Sequence, residues 1–377
     1  MLQDSTLDRK NKEQACKSTT QLMWSMGFIS LVITAVVYAC KYWILHGVFG
    51  QIEADVMHHA DVYLLIVTAS IPFIALYNGG AAVFRAMGNS EVSMRVSLLM
   101  NAINVSGNAI LIYGFHCGTE GVAIPTLVSR FVAAFIIIKL LLKDKWSLHL
   151  ERTFRFNPDW SMIRKILSVG IPNGLENSMF QLGKVLVLSL VSTFGTYAIA
   201  ANAVSNVITL FSILPGQAIC LAVTTVIARC VGAGDYEQAK YYNKKLILLT
   251  HIGMAITIFI VFITLPFILK VYNLSEAASE ATRHIIWFHG FCAILIWAES
   301  FTLPATFRAC GDAKACMIIS TVSMWIFRVG ASYILGKNLG LGVFGVWVAM
   351  IIDWAFRSLL FGIRYFSGKW KKHALVS

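Results

Sequence analysis

Three carboxylates stand inside long apolar runs, where a chain seldom keeps a charge: Glu176, Glu299 and Asp353. Near the first, Asn173, Glu176, Asn177 and Lys184 fall on one face at 3.6 residues per turn. Pro172, just before them, would free a backbone carbonyl if the segment is helical. Carboxylate, amide and carbonyl oxygens are the hard ligands a sodium ion takes. A partly desolvated Glu could carry a proton instead, because burial favours the neutral acid. Asn173 and Glu176 are therefore candidates to couple a cation, with Na+ at Glu176 if the ion is sodium. The competing reading is a structural Glu176–Lys184 pair two turns apart. Glu299 precedes Pro304 by five residues and shares its expected face with Cys292, Leu295 and Thr302. It is the second cation-coupling candidate, and it could equally meet a substrate charge. Asp353 precedes Arg357 by four residues, and Arg328 lies at mid-depth in the preceding apolar run. A buried acid with two arginines to hand reads as a structural ion network.

Neutral polar stripes accompany these charges. Ser97, Asn101, Asn104 and Asn108 share one face, as do Asn202, Ser205, Asn206, Thr209 and Ser212. Such stripes face a wet cavity or a neighbouring helix, because lipid offers no hydrogen-bond partner. Asn104, Asn202, Asn206 and Lys184 are the candidates for lining a substrate cavity. Helix-to-helix bonding is the alternative for each. Arg130 is a lone cation in an apolar run, either paired or reaching for the interface. His289 is the histidine set well inside such a run, and a packed neutral ring is its default reading. The chain carries no H-E-x-x-H, no C-x-x-C and no Walker A motif. An enzyme, a metal site and ATP drive are all unsupported. No cofactor is expected beyond a coupling ion, Na+ or H+.

The elements that must position these groups follow from composition. Apolar residues make up 57% of the 377, and charged residues only 13%. A soluble chain is about a quarter charged, so this one is a polytopic membrane protein with the lipid bilayer as partner. An ionisable group in the bilayer costs about 2.5–3.5 kcal/mol on insertion scales, so each one needs a reason. Ten stretches reach the length of about 20 apolar residues that a crossing needs: 22–45, 62–84, 96–115, 121–142, 167–193, 197–229, 244–269, 284–307, 315–336 and 340–365. The net charge is +12. With ten crossings, 24 of the 31 Lys and Arg residues fall on one side, 4 on the other and 3 within spans. Positive residues gather on the cytoplasmic side, which places both termini there. That alternation leaves no single basic face for nucleic acid. The first twenty residues are polar and do not resemble a cleaved signal peptide.

The sequence repeats itself. Phe84-Arg85-Ala86-Met87-Gly88-Asn89-Ser90 matches Phe307-Arg308-Ala309-Cys310-Gly311-Asp312-Ala313, and Gly121-Val122 matches Gly345-Val346. Glu13-Gln14-Ala15 likewise matches Glu237-Gln238-Ala239. The offsets are 223 or 224 residues and span an even number of helices, so the two copies run parallel. We expect an all-α protein of two pseudo-symmetric lobes: 1–145 with four helices, a cytoplasmic linker 146–165, and 166–377 with six. The counterparts of the fifth and sixth spans would precede residue 1. About ten of an expected twelve helices are then present, and the first lobe is short at its N-terminus.

These islands resemble the multidrug and toxic compound extrusion (MATE) transporters, in the version common among Gram-positive anaerobes. The resemblance rests on Pro72 with Phe84–Ser90, on Val169-Gly170-Ile171-Pro172-Asn173-Gly174-Leu175-Glu176, on Ala198-Ile199-Ala200-Ala201-Asn202, and on Gly232-Ala233-Gly234-Asp235. Phe301-Thr302-Leu303-Pro304 and Gly345-Val346-Trp347 extend it. It implies twelve helices in two lobes that rock to alternate access, a plasma-membrane location and a monomer. It also implies antiport of cationic amphipathic drugs or toxic organic compounds against Na+ or H+, with an acid at the position of Glu176. A lipid-linked oligosaccharide flippase of the same superfamily is the rival reading, which would ask for a more cationic cavity. A truncated, non-transporting product is the other.

Overall fold

The computed structural model of the protein describes residues 2–48, 54–150, 158–368 and 370. Among them every regular element is helical. This follows from a chain too apolar to leave backbone groups unpaired in lipid. The chain forms two compact units, Met1–Ile166 and Leu167–Ser377. The first holds α1 (Leu2–Ala39), α2 (Asp55–Ala86, with a turn at Ser70 ahead of Pro72), α3 (Ser90–Gly114) and α4 (Glu120–Leu141). The second holds most of α5 (Trp160–Ser192), then α6 (Thr196–Gly232), α7 (Tyr236–Tyr272), α8 (Glu276–Ala309), α9 (Ala313–Asn338) and α10 (Gly342–Phe366). All except α5 are long and apolar enough to cross a membrane. α5 has the length, at 33 residues, but Asn173, Glu176, Asn177, Gln181 and Lys184 keep it more polar. Those are the residues from which the coupling candidates come.

The repeat is visible in backbone detail. At the end of α2 Gly88 takes a φ of 81°, Asn89 N–H donates to Phe84 O at 2.9 Å, and Gly88 N–H to Arg85 O at 2.8 Å. At the end of α8 Gly311 takes 85°, Asp312 N–H donates to Phe307 O at 2.9 Å, and Gly311 N–H to Arg308 O at 3.0 Å. This is the Schellman ending, in which a left-handed residue lets two amides satisfy the last carbonyls. Phe84 and Phe307 are both fully buried. Three residues beyond the end of each motif the match continues: Ser93 Oγ donates to Ala81 O, and Cys316 Sγ to Pro304 O, each twelve residues back.

Each copy also contains a π-helical stretch at the same place, Ile110–Gly114 in α3 and Tyr333–Asn338 in α9. Cys117 N–H reaches back to Leu111 O, as Leu341 N–H does to Leu335 O. Two further π stretches, Ala298–Thr302 in α8 and Met324–Gly330 in α9, lie where unit 1 has ordinary α-helix. A π turn adds one residue and rotates everything beyond it, and such turns gather at functional sites. These two carry Glu299 and Arg328.

In unit 1 the core packs Tyr77, Phe84, Ile137 and Leu141. In unit 2 one core gathers Ile285, Trp297, Trp347 and Trp354, and another Phe307, Phe361 and Trp370. Close helix approach relies on small residues. A Cβ on Gly345 would sit 2.8 Å from the Leu335 backbone, and one on Gly216 would sit 2.3 Å from the Trp297 ring.

Candidate functional site

α5 starts at a cap: Asp159 Oδ1 accepts from Met162 N–H at 3.2 Å, and its other oxygen pairs with Lys17. Four turns later the helix delivers Glu176, which is buried. Both carboxylate oxygens accept from Arg308 Nη2, at 2.7 and 2.8 Å. Arg357 Nη2 stands 4.0 Å from Glu176 Oε1, and Arg357 Nε stands 3.8 Å from Asp353 Oδ1. Asp353, wholly buried, also accepts from Ser323 Oγ. One guanidinium thus links the residue expected to couple a cation to the acid expected to be structural.

The sequence offered Glu176 a sodium ion, a proton or Lys184. The structure puts Arg308 on both carboxylate oxygens, 132 residues away in sequence. Lys184 turns instead to Phe180, its Nζ 5.1 Å from the ring centre. Arg328 Cζ at 5.2 Å and Arg357 Cζ at 5.6 Å share that ring, and Arg357 also lies 5.2 Å from Phe301. Aromatic faces hold cations where acids are scarce. Asn173 lends its backbone carbonyl to Asn177 Nδ2 and does not meet Glu176 through a hydrogen bond.

Beside the network is a cavity of about 250 Å³, lined by Lys184, Asn202, Asn206 and Arg328 on its polar side. Val187, Leu188, Val346, Trp347 and Met350 complete it. Three of the four residues expected to line a cavity therefore meet in one. Trp347 Nε1 donates to Asn202 Oδ1 at 3.1 Å, and Arg328 Nη2 lies 3.0 Å from Met350 Sδ. Asn104 lies elsewhere, in unit 1. Its Nδ2 donates to Thr126 Oγ1 at 3.0 Å and its Oδ1 accepts from Asn108, so it ties α3 to α4. Arg130 is paired, donating to Ser70 Oγ at 2.7 Å.

Glu299 finds a partner that sequence reasoning passed over. His251 Nε2 lies 3.0 Å from Glu299 Oε1, and His251 Nδ1 lies 2.6 Å from Ile294 O. Glu299 Oε2 is buried without a hydrogen-bond partner. The signal was available, since His251 sits within the apolar run 244–269. His289 is packed as expected, edge-on to Trp347 and Trp354. Among the described residues no cluster of three or more His, Cys, Asp or Glu side chains is arranged to hold a metal.

The family pattern described as MatE matches residues 6–110 and 172–334. The chain belongs to the MatE family. This MatE chain is 25% identical over 370 residues to a "Probable multidrug resistance protein NorM" of Thermotoga maritima, covering 96% of this chain and 78% of that one. It is 27% identical over 373 residues to the "Uncharacterized transporter YisQ" of Bacillus subtilis, covering 97% and 80%. The Bacillus relatives fit the Gram-positive version of the MATE pattern. Among solved structures it resembles the "Outward-facing conformation of a multidrug resistance MATE family transporter of the MOP superfamily", with a TM-score of 0.85, 19% identity, and coverage of 97% and 81%. At that identity the likeness speaks for the fold, a two-lobe helical bundle. The MatE chain is a multi-pass membrane protein.

Proposed function

We propose that this protein is a secondary active exporter of amphipathic organic compounds, driven by entry of Na+ or H+, in the plasma membrane with both termini cytoplasmic. Relatives carrying the name "multidrug resistance" support the reading. The observation that carries it is the cavity in unit 2, polar on one side and apolar on the other. That is the lining an amphipathic solute asks for.

The coupling cation is best assigned to the Glu299–His251 pair. Glu176 already holds a guanidinium, whereas Glu299 keeps one oxygen free of hydrogen bonds beside a ring that can gain or lose a proton near neutrality. The cationic character of substrates, which the resemblance implies, has no acidic group in the cavity to receive it. A cationic lining was the mark of the flippase reading, and the cavity's Lys184 and Arg328 give that reading an observation in its favour.

The test is dye efflux from loaded cells, with the sodium and proton gradients collapsed separately. Export should fall when one gradient is collapsed, and Glu299→Gln should abolish that dependence. Gradient-dependent export unchanged in Glu299→Gln and His251→Gln would remove the assigned coupling pair. Export indifferent to both gradients would remove secondary transport itself.

A further inference from the structure

The cavity in unit 2 carries charge of one sign. Its two ionisable lining groups are Lys184 and Arg328, and the others are Asn202, Asn206 and apolar side chains. Both cations rest against one ring, at 5.1 and 5.2 Å from the centre of Phe180. Among the described residues neither has a carboxylate within 4.0 Å. Glu176 is held by Arg308 and faces Arg357, and Asp353 meets Arg357 and Ser323 through Oδ1 alone, its Oδ2 buried without a hydrogen bond, so two acids stand against the four cations Lys184, Arg308, Arg328 and Arg357. Arg328 is left with the sulfur of Met350. Asn202 has its amide oxygen taken by Trp347, which leaves its NH2 group as the polar end on offer.

A ring face and a thioether are weak partners for two cations in an apolar bundle, and the arrangement is complete only when an anion joins it. A guanidinium binds carboxylate or phosphate through a planar fork, and an ammonium adds a mobile point charge beside it. We propose that this cavity binds the anionic headgroup of an amphiphile, a carboxylate, phosphate or sulfonate, between Lys184 and Arg328. The apolar part of the ligand lies against Val187, Leu188 and Val346. This assignment rests on reading the cavity as the exporter's substrate site, and it gives that substrate a sign.

The test uses the full chain purified in a non-ionic detergent and two probes that differ only in charge, dansyl-dodecyl phosphate and dansyl-dodecyl-trimethylammonium. Dansyl fluorescence should show saturable binding of the phosphate probe and weaker binding of the ammonium probe. Lys184→Gln should weaken the phosphate probe about tenfold, the loss that accompanies one charge-assisted contact, and Lys184→Arg should restore it. Lys184 is exposed, so the Lys184 variants carry the test even where Arg328→Gln fails to fold. Competition by inorganic phosphate assigns the site to free anions. Competition only by phosphatidylglycerol in mixed micelles assigns it to a lipid headgroup, and either result supports the proposal. Tighter binding of the ammonium probe, or phosphate-probe binding unchanged in Lys184→Gln, overturns it. Gradient-driven dye export that persists while the phosphate probe fails to bind removes this inference and leaves the export reading standing. A bound phosphate probe in a protein that exports nothing does the reverse.

Discussion

Glu176→Gln should cost more stability than Arg308→Gln, although the two residues are partners in one bond. The buried part of the ion network holds three guanidiniums, of Arg308, Arg328 and Arg357, against two carboxylates, of Glu176 and Asp353. Removing Glu176 leaves three positive charges against one negative. Removing Arg308 leaves two against two, and Arg357 Nη2 still stands 4.0 Å from Glu176. The side chain of Glu176 is 10% exposed and that of Arg308 25%, so solvent relieves the arginine site more readily. Stranding buried charge costs about 3–5 kcal/mol, the expected loss for Glu176→Gln. Arg308→Gln should cost about 1–3 kcal/mol, the range for hydrogen bonds unmade on a buried acceptor. The assay is reversible unfolding of the purified protein by sodium dodecyl sulfate in mixed micelles, followed by tryptophan fluorescence. The double variant Glu176→Met/Arg308→Met should lose less than the two single losses combined, because it leaves neither partner stranded. A larger loss in Arg308→Gln than in Glu176→Gln would refute the charge count. Losses under about 1 kcal/mol in both, the yield of an exposed ion pair, would refute the pair's burial as the source of its strength.

Three other outcomes are expected. Gly88→Ala and Gly311→Ala should each cost about 1–2 kcal/mol, because both glycines are left-handed. Gly345→Ala should do at least as much damage through its 2.8 Å approach to Leu335, with thermal unfolding as the measure. Cys310, buried and beside Asp312, has its thiol pushed up to about 12, burial contributing most. It should resist N-ethylmaleimide at pH 7.5 while exposed Cys40 reacts, as mass spectrometry would show. The carboxyl of Asp159 is held below the usual carboxylate range, first by the Met162 amide and then by Lys17. A lowered value means the cap's contribution is complete above the ordinary carboxylate pKa of about 3.9 and fades as pH falls through the lowered one. Amide exchange at the start of α5 should therefore quicken in acid, and Asp159→Asn should flatten that response.

The fold was legible because its signals are local and strong. Apolar length marks a crossing helix, and the Phe84–Ser90 and Phe307–Ala313 islands specify an ending that the backbone reproduces bond for bond. The site was legible only in part. Periodicity put Asn173, Glu176 and Lys184 on one face, but the partner that matters is Arg308, which no periodicity within α5 can reach. At Glu299 the 3.6-residue spacing itself fails. The π stretch Ala298–Thr302 adds a residue, so Leu295 is 71% exposed and Thr302 is fully buried despite their expected common face. His251 meets Glu299 from another helix, and that pairing belongs to tertiary packing rather than to any segment.

The π stretches divide into two kinds. Ile110–Gly114 and Tyr333–Asn338 hold the same position in the two copies. Ala298–Thr302 and Met324–Gly330 correspond to plain α-helix in the described part of unit 1. Glu299 and Arg328 ride on this unshared pair, where unit 1 has Leu76 and Val105 at the offset of 223. The two halves share a backbone plan but not its chemistry: the second half carries charge on widened turns, and the first keeps plain helix and apolar side chains at the same positions.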